Sequence, residues 1–173
     1  MRDARIYTIM LVTRRWQKQI SAEEIQMIRK ASAVWNGSLK EGKGTISTES
    51  GVLSKAQYSF STRFENGRGT NPEELIAAAH AGCFTMALSA QLGNAGITPE
   101  SLETTASVTL EKLEAGFTVT KVHLDVEARI PGADPVAFQK AAEAAEKGCP
   151  ISRLLKAEIT MNAKLLSGQA ESA

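Results

Sequence analysis

The sequence has few of the residues that bind metals or cross-link secreted domains. Its 173 residues include only two cysteines and two histidines. Two cysteines are too few for a disulfide-rich extracellular scaffold, and neither histidine completes a zinc-ligand spacing. The chain also has no glycine-rich phosphate-binding loop. We therefore expect no metal and no cofactor, whereas the two cysteines permit one redox pair.

An excess of charge of one sign is also missing. Lys and Arg number 20 and Asp and Glu number 19, so the formal net charge is +1. This balance provides no electrostatic attraction for nucleic acid. A hydrophobic fraction of 43% and a charged fraction of 23% are ordinary for one globular domain. We expect a cytoplasmic protein with no nucleic-acid partner.

Long apolar runs are absent as well. Residues 6–12 are apolar, but Arg14 and Arg15 follow them instead of a small-residue cleavage site, so we predict no secretory signal. The apolar residues 75–88 fall short of the roughly 20 residues that a membrane-spanning helix needs. Residues 1–26 are interpreted as an amino-terminal extension, either a loosely docked arm or the product of a start upstream of Met27. Residues 27–173 are then a single domain.

Hydrophobic periodicity and turn residues predict an α+β fold, because strand hairpins are separated by helices. Alternation over residues 57–64 predicts a strand that carries Arg63 on its polar face. The predicted order is β-β-β-α-β-β-α-β. Its elements are strands at 30–39, 44–49 and 57–64, a helix at 71–94, strands at 101–113 and 117–130, a helix at 134–148, a helical turn at 149–155 and a strand at 157–165.

The helix at 71–94 has the clearest start signal in the chain. Asn71 can cap it, Pro72 suits the first helical position, and Glu73 suits the positive end of the helix dipole. Residues 75–99 then contain no Asp, Glu, Lys or Arg. A helix that is apolar nearly all round is predicted to be enclosed by protein on most sides.

The two cysteines occupy different settings in this pattern. Cys83 lies within the apolar helix, where a free cysteine is commonly a small core residue. Cys149 precedes a proline at a predicted helix start, where unpaired backbone N–H groups favour a thiolate. A peroxide-reducing pair needs one thiolate that becomes a sulfenic acid and a second thiol that condenses with it. It also needs a nearby cation, for which Arg63 is a candidate, although an ordinary solvated arginine has the same pattern.

His80 precedes Cys83 by three residues and so can lie on the same side of the helix. A Cys–His acyl hydrolase requires the ring within hydrogen-bond reach of the sulfur and a third group that orients the ring. A three-residue step on a regular helix rarely meets the first requirement. We therefore interpret His80 as a buried structural histidine.

Five segments of the chain resemble the OsmC/Ohr family of thiol-dependent peroxidases. The resemblance extends over about residues 28–165, and His80, where Ohr-type proteins usually have a tyrosine, indicates the OsmC branch. The segments are STESGVL at 47–53, TRF at 62–64, GTNPEEL at 69–75, AAHAGCF at 78–84 and GCPIS at 148–152.

This resemblance implies an activity and a set of roles. Cys83 matches the peroxidatic cysteine and Cys149 the resolving cysteine, while Arg63 and Glu73 match the residues that hold the thiolate. The implied substrates are organic hydroperoxides, and the implied reductant is a thiol or a dihydrolipoyl protein. The implied fold has two curved antiparallel sheets packed on a buried central helix, in an intertwined homodimer.

The spacing of Glu73 and Cys83 raises a question about that site. Ten residues of helix separate them by about 15 Å along the axis and about 80° around it. Either the helix bends near Gly82, or Glu73 reaches the site from another subunit or from a separately folded turn. Two alternative functions stay open: a non-enzymatic, stress-induced dimer that binds hydrophobic ligands, and a Cys–His acyl hydrolase.

Overall fold

The computed structural model describes residues 26–166, so the predicted amino-terminal extension lies, apart from its last residue, outside the described residues. The α+β order predicted from the sequence is confirmed. The elements are β1 Ala31–Asn36, β2 Lys43–Thr48, β3 Ala56–Ser59, α1 Phe60–Phe64, α2 Pro72–Asn94, β4 Ser101–Leu113, β5 Gly116–Arg129, α3 Pro135–Gly148, α4 Pro150–Leu154 and β6 Glu158–Leu166.

The strands form two three-stranded sheets, ordered β1-β2-β3 and β4-β5-β6. The first sheet is antiparallel throughout, and β4 pairs antiparallel with β5. The prediction of two antiparallel sheets is wrong for β6, which pairs parallel to β5, with Lys121 opposite Glu158. The reason is the connection: α3 and α4 lie between these strands, and a helical crossover returns the chain to the same end of the sheet.

The predicted strand at 57–64 is also corrected, because β3 ends at Ser59 and Arg63 lies on the short helix α1. Ser59 and Thr62 form a capping box that begins this helix. The Ser59 hydroxyl accepts from the Thr62 N–H, and the Thr62 hydroxyl accepts from the Ser59 N–H at 2.8 Å. Phe60 and Phe64 then share a helix face, with ring centroids 4.9 Å apart. Their spacing of four fits a strand as well as a helix, which is why alternation misled the prediction.

The core lies between α2, α3 and the second sheet. Phe84, Leu88 and Leu92 of α2 are fully buried against it. Within residues 26–166, no side chain of the first sheet joins this core. In the single chain one face of α2 is exposed, and Met86 is 76% accessible. The packing of both sheets on this helix was expected of a homodimer and stays a prediction.

The helix α2 has 23 residues and is long and apolar enough to cross a membrane by length and composition alone. A core helix of a soluble protein satisfies the same test. In this fold, the face of α2 that carries Phe84 is buried in the protein core.

Candidate active site

The two cysteines meet where α2 packs against α4. Their Sγ atoms are 2.7 Å apart although 66 residues separate them in the chain, and both are free thiols. Cys149 ends α3 and begins α4, and its backbone N–H donates to the Ala145 carbonyl at 2.9 Å. Because α3 packs along α2, the residue that follows Gly148 emerges beside the middle of α2. The separation exceeds the roughly 2.05 Å of a disulfide bond, so the thiols are in contact and unbonded.

Access distinguishes the two thiols. Cys149 is completely buried, whereas Cys83 is half-buried. Next to Cys83, Gly82 lies on the exposed face of α2, and a Cβ built on it would meet no atom within 4 Å. Cys83 is therefore the sulfur that a molecule from solvent can reach.

The pKa values of the pair diverge in the single chain. Burial raises the pKa of the Cys83 thiol, and the neighbouring Cys149 raises it further, against a smaller lowering by the backbone of Ile151. Burial also acts to raise the pKa of Cys149, but the hydrogen bond from Cys83 and the backbone and hydroxyl of Ser152 lower it below its usual value. One chain by itself thus favours the negative charge on Cys149, at the start of α4.

Arg63 and Glu73 form a second pair, at the amino-terminal end of α2. Arg63 Nη2 lies 2.7 Å from one carboxylate oxygen of Glu73, and Nε lies 3.2 Å from both oxygens. Asn71 ties the two helices together, because its side chain accepts from the Glu74 N–H at 2.8 Å and donates to the Thr62 carbonyl at 3.2 Å. The guanidinium also lies over the Phe64 ring, 5.2 Å from its centroid.

The two pairs are apart within one chain. The helix α2 runs as one element from Pro72 to Asn94, so no break near Gly82 brings Glu73 toward Cys83. Their ten-residue spacing corresponds to about 15 Å of helix rise. The expectation that Arg63 lowers the pKa of Cys83 is not met within this chain, where the groups that act on the thiol are Cys149 and Ile151.

His80 is fully buried, as interpreted from the sequence, but it has a partner that the sequence analysis missed. Its Nε2 lies 2.8 Å from the hydroxyl of Ser152, which is also buried. Ser152 follows Cys149 by three residues, and that helical spacing is the signal by which it could have been found. The His80 Nδ1 has no hydrogen-bond partner among the described residues. Among the described residues the ring therefore bonds to Ser152 and not to the Cys83 sulfur, the contact that a Cys–His hydrolase requires.

A half-buried thiol against a fully buried one, carried by an α+β fold of two three-stranded sheets, defines a thiol-redox protein. The chain belongs to the family of OsmC-like proteins, which matches residues 65–164. The resemblance inferred from the sequence is confirmed.

Relatives of known name agree with this membership. The chain is 55% identical over 139 residues to Peroxiredoxin OsmC of Escherichia coli (strain K12), covering 80% of this chain and 97% of that protein. It is 26% identical over 127 residues to an organic hydroperoxide resistance protein of Xanthomonas axonopodis pv. citri (strain 306), covering 73% of this chain and 87% of that protein.

Solved structures support the same fold. The organic hydroperoxide resistance protein OhrB of Bacillus subtilis matches with a TM-score of 0.57 and 25% identity, over 79% of this chain and 98% of that one. An OsmC-like protein of unknown function from Vibrio cholerae matches with a TM-score of 0.64 and 20% identity, over 82% of this chain and all of that one. At that identity the Vibrio structure supports the fold alone.

Proposed function

We propose that the protein is a cysteine-based peroxidase that reduces organic hydroperoxides to alcohols, with Cys83 as the peroxidatic and Cys149 as the resolving cysteine. The observation that carries the proposal is the 2.7 Å contact between a solvent-accessible thiol and a buried one. The names of the relatives, a peroxiredoxin and organic hydroperoxide resistance proteins, support the reaction and the substrate class.

The reaction proceeds in two steps at adjacent sulfurs. The Cys83 thiolate attacks the terminal oxygen of the hydroperoxide, and the O–O bond breaks. Cys83 becomes a sulfenic acid, and the alkoxide takes the proton of Cys149 and leaves as the alcohol. The Cys149 thiolate then attacks the Cys83 sulfur, so that the S–S bond forms while the S–O bond breaks. The departing hydroxide takes a proton from solvent and leaves as water. A dithiol reductant restores both thiols.

The proposed unit is a homodimer in which Arg63 and Glu73 of a second copy face Cys83. Two features of the single chain support it. Five of the six residues of β1 are exposed, and α2 presents a charge-free outer face that carries Gly82 and Met86. A cation beside Cys83 would draw the negative charge of the coupled pair from Cys149 to Cys83, where the attack on peroxide begins. The buried area is expected to exceed about 2,000 Å², as in obligate dimers.

The proposed location is the cytoplasm, and the proposed reductant is a thiol or a dihydrolipoyl protein. The sequence has two cysteines, too few for the disulfide framework that is typical of small secreted domains, which supports the cytoplasm.

The test mixes the fully reduced protein with an alkyl hydroperoxide under single-turnover conditions and follows both peroxide and protein. We expect one equivalent of peroxide to be consumed and a Cys83–Cys149 disulfide to appear in the peptide mass map. Uptake of an apolar ligand with both thiols intact would contradict the proposal and favour the ligand-binding alternative. Ester hydrolysis that survives Cys149→Ser would favour the hydrolase.

A further inference from the structure

Two side-chain contacts connect α2 with α4. The first joins Cys83 to Cys149 at 2.7 Å, and the second joins His80 to Ser152 at 2.8 Å. The two contacting residues on each helix are three positions apart, a spacing that places their side chains on one face. His80 and Ser152 have no role in the reaction proposed above, yet their contact is buried and adjacent to the reacting sulfurs.

The surroundings of the His80 ring determine which group donates in the hydrogen bond between His80 and Ser152. His80 Nδ1 is buried without a partner among the described residues. A buried N–H without an acceptor is rarer than an unused acceptor, so the tautomer with the proton on Nε2 is favoured. His80 Nε2–H then donates to the Ser152 oxygen, and the single hydroxyl proton of Ser152 is left to point elsewhere. Ser152 lies three residues after Cys149, one helical turn along α4, and its hydroxyl is among the groups that lower the pKa of the Cys149 thiol.

We infer that His80 and Ser152 are positioning residues that hold Cys149 as a thiolate for its attack on the oxidised Cys83. This inference rests on the proposed function for the step that it speeds. In that step the Cys149 thiolate forms the S–S bond, the Cys83 S–O bond breaks, and hydroxide leaves and is protonated by solvent. The Ser152 hydroxyl stabilises the thiolate before the attack and keeps its own proton throughout.

Within one chain, the groups of residues 26–166 that act on the pKa of Cys149 are Cys83, Ser152 and Ile151, and none of them is a charged side chain. The titratable groups of α2 in this cluster are Cys83, which contacts Cys149, and His80, which contacts Ser152. The inward face of α3 is apolar and consists of Phe138, Ala141, Ala142 and Ala145. Burial lowers the pKa of His80, which keeps the ring neutral at physiological pH. Ser152 is therefore the polar side chain, besides Cys83, through which the thiolate of Cys149 can be tuned.

The first experiment titrates Cys149 directly, without peroxide. In a Cys83→Ser background Cys149 is the single cysteine, and thiolate absorbance near 240 nm is followed against pH. We expect Ser152→Ala to move the titration upward by about one unit, because it removes a hydrogen bond to the charged form. Ser152→Thr keeps a hydroxyl and is expected to titrate like the parent.

The role of the histidine is tested with a pair of variants and a matched control. His80→Leu removes the donor and is expected to act like Ser152→Ala, whereas His80→Gln keeps an N–H donor and is expected to preserve the titration. The control is Thr160→Val at the other histidine–hydroxyl pair, His123 Nδ1 with Thr160 Oγ1 at 2.6 Å, which lies on the second sheet. It is expected to cause no shift.

The second experiment uses both cysteines. In stopped-flow mixing with an alkyl hydroperoxide, disulfide formation at neutral pH is expected to be about 10-fold slower in Ser152→Ala than in the wild type and to recover at higher pH. An unshifted Cys149 titration in both Ser152→Ala and His80→Leu would overturn the inference. If the wild type consumes no peroxide, the proposed function fails, while the titration still decides how Cys149 is tuned. If Ser152→Ala fails to fold, the Cys149 titrations of His80→Leu and His80→Gln test the inference instead.

Discussion

Arg63 holds the carboxylate of Glu73 with two nitrogens, at a shortest distance of 2.7 Å, at the amino-terminal end of α2 and ten residues before the cysteine whose thiolate it is expected to hold. The Glu73 side chain is 13% exposed and the Arg63 side chain 36% exposed. The hydrogen bonds to Glu73 and the contact with the Phe64 ring orient the guanidinium. Such a cation is suited to a sulfur on a second subunit.

Replacing Arg63 by Ala is expected to slow peroxide reduction about 10-fold or more at neutral pH, because an opposite charge lowers a thiol pKa by roughly 1–3 units. The rate is expected to recover partly at higher pH, where the thiol ionises without help. Arg63→Lys is expected to recover little, since lysine lacks the planar fork. The measurement is the pH–rate profile of single-turnover oxidation. Arg29, an exposed arginine that donates to the Ile28 carbonyl and the Met27 sulfur, provides the control variant. A profile unchanged in Arg63→Ala would remove Arg63 from the mechanism.

Mixing two inactive variants tests whether the site is shared between subunits. Arg63→Ala keeps its Cys83, and Cys83→Ser keeps its Arg63, so a mixed dimer contains one complete site only if Arg63 acts across the interface. After denaturation and refolding of an equal mixture, about one quarter of the wild-type activity is expected, because half of the dimers are mixed and each has one of two sites. Activity no higher than the mean of the two variants would place the pair and the cysteine in the same chain.

Variants of the two cysteines are expected to block different steps of peroxide reduction. Cys83→Ser should consume no peroxide, since a serine hydroxyl is a poor nucleophile at neutral pH. Cys149→Ser should react once and then accumulate sulfenic and sulfinic acid on Cys83, because no resolving thiol is present. Trapping with a sulfenic-acid reagent followed by mass spectrometry separates the two. Identical behaviour in a single turnover would refute this division of roles.

The exposed face of α2 is expected to lie in the dimer interface. Met86→Glu should raise the dissociation constant of the dimer on the order of 100-fold, because an unpaired carboxylate would be buried. Val136→Glu is the matched control, since Val136 is 60% exposed on α3. Sedimentation velocity at micromolar concentration measures both. A wild-type protein that is monomeric and fully active would contradict the dimer.

His80 is expected to make the fold sensitive to acid. Burial lowers its pKa below the ordinary 6.5, so the unfolded chain takes up a proton at a higher pH than the native protein does. The stability that comes from the neutral ring is complete above pH 6.5 and is lost as the pH falls toward the lowered value, by up to about 1.4 kcal/mol per pH unit.

Urea unfolding at several pH values between about 5 and 7.5 measures this slope. His80→Gln should flatten it. Equal slopes in wild type and His80→Gln would show that another group carries the acid sensitivity.

Local signals in the sequence predicted most of the elements correctly. Asn71 and Pro72 begin α2 because a side-chain acceptor and a residue without an N–H suit the first helical turn. Pro150 likewise suits the first turn of the short α4, which Cys149 begins without a side-chain cap hydrogen bond. Local reasoning went wrong at Arg63, where alternation over a few residues fitted a strand and a helix equally, and the Ser59–Thr62 capping box settled the choice.

The sequence by itself determined the chemistry that is available: two thiols, one within an apolar helix and one before a proline, in a family whose motifs lie around them. Only the tertiary structure decided which groups meet. The 2.7 Å contact of Cys83 with Cys149, the pairing of His80 with Ser152 and the parallel β6 all join residues far apart in the chain. The physical reason is that propensities and caps act over three or four residues, whereas these contacts follow from the packing of α3 and α4 against α2 and the second sheet.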